Sequence, residues 1–189
     1  MIPVTVHTHI SAPREEIYDY LVDLAGRVAF SDHYQESFHL TSPRSAGVGA
    51  GARFRLRGRW AEIVIVDAQR PRVISEQGGL GRLGATRLYS EYALSRAAEG
   101  QTRVELTTGT DTSGRLGRMR EGRRWPRWYR RQSKVALERL RKVFEERPDG
   151  TLARMTVAGF ESSKSPRFGV SPSYGESAGA GGWTPPAAG

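Results

Sequence analysis

The sequence predicts an α+β fold in which a curved antiparallel sheet of about six to seven strands wraps around a long C-terminal helix, with short helices after the first strand. Three observations predict it. A stretch of period two runs directly into a proline-opened amphipathic segment within residues 1–24. Alternating segments joined by short turns fill residues 35–110. From Leu116 the apolar spacing becomes helical and stays so to Arg147.

Taken in order, residues 1–10 put Val4, Val6, Thr8 and Ile10 on one face and Thr5, His7 and His9 on the other, as a half-buried strand requires. Pro13 suits a first helical position, where a missing N–H costs nothing, and Ile17, Tyr20, Leu21 and Leu24 follow at helical spacing. Residues 26–31 read as a short second helix or turn, and residues 35–41 as a strand. After the glycine-rich turn at 47–51, Phe54 and Leu56 alternate with Arg53, Arg55 and Arg57. Gly58-Arg59 offers a tight turn into residues 60–67, a strand apolar on nearly both sides. Gln69-Arg70-Pro71 breaks it, and residues 72–77 form the next strand. A glycine-rich link over 78–84 leads to residues 87–95, with Leu88, Ser90, Tyr92 and Leu94 on one face. Residues 103–110 place Val104, Leu106 and Thr108 inward. Links this short favour an antiparallel sheet, because parallel neighbours need crossovers of roughly a dozen or more residues.

Leu116, Met119, Trp125, Tyr129, Ala136, Leu140, Val143 and Phe144 fall near one stripe of the last helix, with arginines around the rest. Pro126 lies inside this pattern. It either occupies the first turn of a helix starting near Trp125 or kinks a longer one, and the longer, two-piece helix is the expectation. Residues 1–147 read as one domain. Residues 148–189, rich in Gly, Ser and Pro, bury too little to offset ordering entropy, so most of that tail is expected to be disordered, with 152–160 as the part able to lie against the domain.

Composition narrows the function. The chain of 189 residues has no cysteine, which excludes disulfides, thiolate metal sites and thiol nucleophiles. No basic-then-apolar leader and no long apolar span is present, so a cytoplasmic location is the expectation. Residues 115–147 hold thirteen Arg or Lys against four Glu, so the net charge of +9 resides there and the rest of the chain sums to zero. Such a segment can attract phosphate or an anionic membrane, or it can be a solvated helix face.

Ser11-Ala12-Pro13 with Glu16 and Ile17, then Asp67 with Arg70-Pro71-Arg72-Val73, Tyr92-Ala93-Leu94, Gly100-Gln101-Thr102-Arg103-Val104 and the terminal helix follow one another over residues 2–146. This order resembles the polyketide cyclase/dehydrase and lipid-transfer (SRPBCC, START-like) superfamily. The resemblance implies a helix-grip fold with an internal hydrophobic cavity. This chain has Phe30 and Tyr34 where members often carry tryptophans after the first helix. A bent sheet cannot seal along the whole length of one helix, and pockets of this type run to about 300–1,000 Å³. The expected lining is Tyr34, Phe54, Leu56, Glu76, Tyr92, Leu94, Leu106 and Thr108 from the sheet side, and Leu116, Met119, Trp125 and Tyr129 from the helix.

The function so read is binding of a small hydrophobic or amphipathic ligand, such as a lipid, quinone or polyketide-like chain, without a cofactor. An alternative is a polyketide aromatase/cyclase using general acid/base residues in the same cavity, with Glu62, Tyr92 and His33 as catalytic candidates. Glu62 stands in an apolar strand, where burial would raise its pKa, unless it pairs with Arg55 on the outer face. A second alternative is an interaction module that binds nucleic acid or anionic membrane through the basic helix. Trp125 and Tyr129 are needed inside, which weighs against nucleic acid and leaves Trp128 free to face out. Gly79-Leu80-Gly81-Arg82-Leu83-Gly84 matches a dinucleotide fingerprint, but a strand pattern follows where a helix is required. His7 and His9 share a face without further ligands, so no metal is expected. The sequence leaves the oligomeric state open.

Overall fold

The computed structural model describes residues 3–81, 86–112 and 124–146. Seven strands form one antiparallel sheet in the order β1-β7-β6-β5-β4-β3-β2: β1 Val4–Ile10, β2 Glu36–Leu40, β3 Gly51–Leu56, β4 Arg59–Gln69, β5 Val73–Leu80, β6 Thr86–Arg96 and β7 Thr102–Thr112. Helix α1 (Arg14–Leu21), a 3-10 turn (Leu24–Arg27) and α2 (Val28–Ser31) follow β1, and a long helix α3 (Arg124–Glu145) ends the described chain. This is the helix-grip α+β architecture that the sequence predicts.

Local chemistry sets the element ends. Pro13 stands just before α1 with extended backbone, at the cap and not at the first helical position expected for it, which Arg14 takes. Ile17, Tyr18 and Leu21 are its buried residues, whereas Tyr20, expected inside, is half-buried and donates its hydroxyl to the Gly26 carbonyl. The Asp23 side chain caps the 3-10 turn by accepting from the Ala25 N–H at 3.0 Å. The β3–β4 turn is Arg57-Gly58, one residue earlier than expected. Both residues have positive φ, and Leu56 pairs with Arg59 across it. Such backbone matches the strand twist.

Strand β4 is one-sided. Ala61, Ile63 and Ile65 are buried while Trp60, Glu62 and Val66 are exposed, because β4 lies between β3 and β5 with its other face uncovered by any described element. Register shifts between Glu36 and His39 and between Ile65 and Asp67 bend the sheet, as bulges do. Helix α3 packs against β1, β7 and α2, burying Ala136, Leu137, Leu140 and Phe144. Its described start at Arg124 puts Pro126 in the first turn, where no N–H partner is lost. The part of the two-piece helix expected before it lies outside the described residues, as do the tail and the second half of the glycine-rich link.

Candidate functional site

Arg27 is the single charge in the apolar run Leu24-Ala25-Gly26-Arg27-Val28-Ala29-Phe30, and Glu76 is the single charge near the start of β5. Both side chains are buried and meet inside the molecule, Arg27 Nη1 pairing with Glu76 Oε1. The 3-10 turn aims the arginine inward. Its Nε and Nη2 donate to the Leu21 carbonyl at 3.1 and 2.8 Å, closing the end of α1. Glu76 Oε2 accepts from Ser90 Oγ at 2.5 Å, and Ser90 is its register partner on β6. The Arg27 guanidinium lies 4.8 Å from the centre of the Tyr92 ring. Burial opposes the Arg27 charge, but Glu76 and Tyr92 outweigh it and raise its pKa. A buried pair holds together only when its remaining donors and acceptors are also satisfied, as they largely are here.

Two phenols stand beside this pair. Burial pushes the Tyr92 pKa up to about 12. Tyr34 is raised well above the ordinary value by burial first, then by Tyr92 and Tyr129. Both are therefore neutral hydrogen-bond donors at physiological pH. Thr108 Oγ1 and Gln35 Oε1 are buried atoms with no hydrogen-bond partner among the described residues. An unpaired buried oxygen costs about 1–3 kcal/mol.

These groups line a partly open space of about 40 Å³, walled by Phe54, Leu56, Ile63, Leu88 and Leu106. That volume accepts one or a few waters, not a lipid. Among the described residues, Arg27, Glu76, Tyr34, Tyr92 and Tyr129 project into this part of the gap between sheet and helix.

Tyr34, Phe54, Leu56, Glu76, Tyr92, Leu106, Thr108 and Tyr129 are brought together as expected. Leu94 and Trp125 are buried elsewhere: Leu94 packs as plain core, and Trp125 lies beneath Arg57 at 5.2 Å. Leu116 and Met119 lie outside the described residues. His33 touches the Tyr34 ring but directs Nε2 to the Gln132 carbonyl at 3.3 Å, and burial lowers its pKa. Glu62 is not buried. It is exposed on the outer face opposite Arg53, not Arg55, because strand alternation turns it away from Ala61 and Ile63. Arg27 and Gln35 were missed. A lone charge within an apolar run is the signal that marks Arg27; Gln35, at the start of a short strand, carries none.

No protein-family model and no curated protein matches the chain. Solved structures do. Hypothetical protein jhp0584 from Helicobacter pylori superposes with a TM-score of 0.63 at 8% identity, over 76% of this chain and 88% of its own. The KanY protein gives 0.60 at 17% identity, over 76% and 97%. DynU16, from the dynemicin biosynthetic locus, gives 0.55 at 18% identity, covering 81% of this chain and 49% of its own, so this chain spans about half of it. Likeness at these identities concerns the fold.

Proposed function

We propose that the chain is a binding member of the polyketide cyclase/dehydrase and lipid-transfer superfamily, and that it takes a small amphipathic molecule between sheet and α3. The observation that carries this reading is the pair of unpartnered oxygens, Thr108 Oγ1 and Gln35 Oε1, at a space with apolar walls. An alcohol or carbonyl group at one end of a guest satisfies such a site, Thr108 supplying donor or acceptor and the two phenols supplying donors. The apolar remainder of the guest displaces Tyr129, which projects from α3 into the space. The same fold in a protein of a biosynthetic locus is in keeping with a small-molecule guest.

Binding is favoured over cyclisation by the protonation of the cluster. A general base must release its own proton near neutral pH. Tyr92, with a pKa of about 12, does not, and Glu76 is held by Arg27 and Ser90. The test is an amide chemical-shift titration with decanol, decanoate and menadione. Saturable shifts centred on Thr108, Ser90 and Tyr92 are expected for at least one probe. Shifts confined to the surface, or none, overturn the binding reading, and turnover of a linear polyketide thioester would replace it with the cyclase.

A further inference from the structure

We infer that the first two turns of α3 dock the protein on an anionic lipid surface through Arg127, Arg130, Arg131 and Lys134. The spacing i, i+3, i+4, i+7 sets all four on one helix face, and all four are exposed. Among the described residues none of them has an acidic partner. The next two turns of the same face differ: Arg141 pairs with Glu138 and Glu145, and Lys142 with Glu146. A face shaped only by solvation mixes signs as that second half does.

The first half runs against helix stability. Like charges three and four apart on one helix face repel one another. No contact among the described residues compensates, so the row is built for something beyond the described fold. It spans about 10 Å, long enough to lie along a surface.

The neighbouring hairpin extends the same end of the molecule. Arg57 sits 5.2 and 5.5 Å from the rings of Trp125 and Trp128, which brings the β3–β4 turn beside the start of α3. Val135, 38% exposed, follows Lys134. Guanidinia and ammonium with an apolar side chain suit the headgroup region, which accepts charge and apolar groups together. A nucleic acid suits the surface less well. Trp125 and Tyr129, aromatics interleaved with the row, are buried and offer bases no stacking face. The inference does not rest on the ligand reading.

The experiment is co-sedimentation of the full chain with vesicles of phosphatidylcholine alone or mixed with phosphatidylglycerol. Binding to the mixed vesicles alone, falling steeply with salt, is expected. Each cation removed weakens it about five-fold, so Arg127→Gln, Arg130→Gln, Arg131→Gln and Lys134→Gln together reduce affinity by about 100-fold or more. Arg141→Gln with Lys142→Gln, whose charges are already paired, leaves affinity within about two-fold. Undiminished binding by the quadruple variant, equal binding to neutral vesicles, or no binding at low salt overturns the inference. Tighter, row-dependent binding to a DNA or RNA oligonucleotide overturns it in favour of nucleic acid.

Discussion

Arg27 and Glu76, each only 3% exposed in its side chain, join the turn after α1 to β5, the central strand of the sheet. Neither has another opposite charge among the described residues to fall back on. Arg27→Met or Glu76→Leu alone leaves an uncompensated buried charge and lowers stability by about 3–5 kcal/mol. Replacing both with Met and Leu removes two desolvation penalties at once and recovers most of that loss. Denaturant unfolding of the four proteins measures the coupling; two single losses that simply add would refute the pairing.

The sheet was legible because β1, β3, β6 and β7 show their alternation in sequence and short turns join the rest, and the last helix because its stripe persists for five turns. The interior was less so. Glu62 and Glu76 are each the single carboxylate near the middle of a strand pattern, and only register decides that one faces Arg53 outside and the other Arg27 inside. The polar groups of the interior were hidden for a related reason. Periodicity shows which residues point inward, but not how far an arginine from a 3-10 turn reaches across the space they enclose.

Glycines in β5 and β7 were also hidden. The run from Gly78 reads as a loop, yet Gly78 and Gly79 continue β5. A Cβ at Gly78 would stand 1.8 Å from the Glu62 carbonyl oxygen, so only glycine lets β4 pass this closely. At Gly109 the obstacle is the hydroxyl end of Tyr89, its register partner on β6, at 2.2 Å. A phenol can swing away; a paired backbone cannot. Gly109→Ala should cost about 1 kcal/mol and Gly78→Ala about 3 kcal/mol or more. Thermal unfolding ranks them, and the reverse order would show that β5 is not held as described.

Thr108 gives a sharper test of the site than its neighbours, since its hydroxyl is buried without a partner. Thr108→Val keeps the shape and removes the unpaired oxygen. Stability should rise by about 1 kcal/mol, while affinity for a guest with a hydroxyl end falls, the trade expected where a polar group is kept for binding. A loss of stability on unfolding would mean that the hydroxyl is satisfied in solution.

Alkaline titration reports on Tyr92. Its folded pKa of about 12 lies above the value of 10.0 for an exposed phenol. Below pH 10 both folded and unfolded chains keep this proton, and the stabilising effect of the neutral phenol is fully present. As pH rises from 10 toward 12 the unfolded chain releases the proton first, so folding weakens by about 1.4 kcal/mol per pH unit from this residue. Tyr34 adds a loss of the same sign. Tyr92→Phe removes one of these contributions while keeping a ring beneath Arg27, so its stability should fall less steeply than that of the parent above pH 10. His33 acts at the opposite end. Burial lowers its pKa, so acidification through the ordinary imidazole value protonates the unfolded chain first and weakens folding there. Urea unfolding across both ranges separates the two residues: Tyr92→Phe should change only the alkaline limb and His33→Gln only the acidic one, and parallel curves for Tyr92→Phe and parent above pH 10 would place the Tyr92 phenol in water.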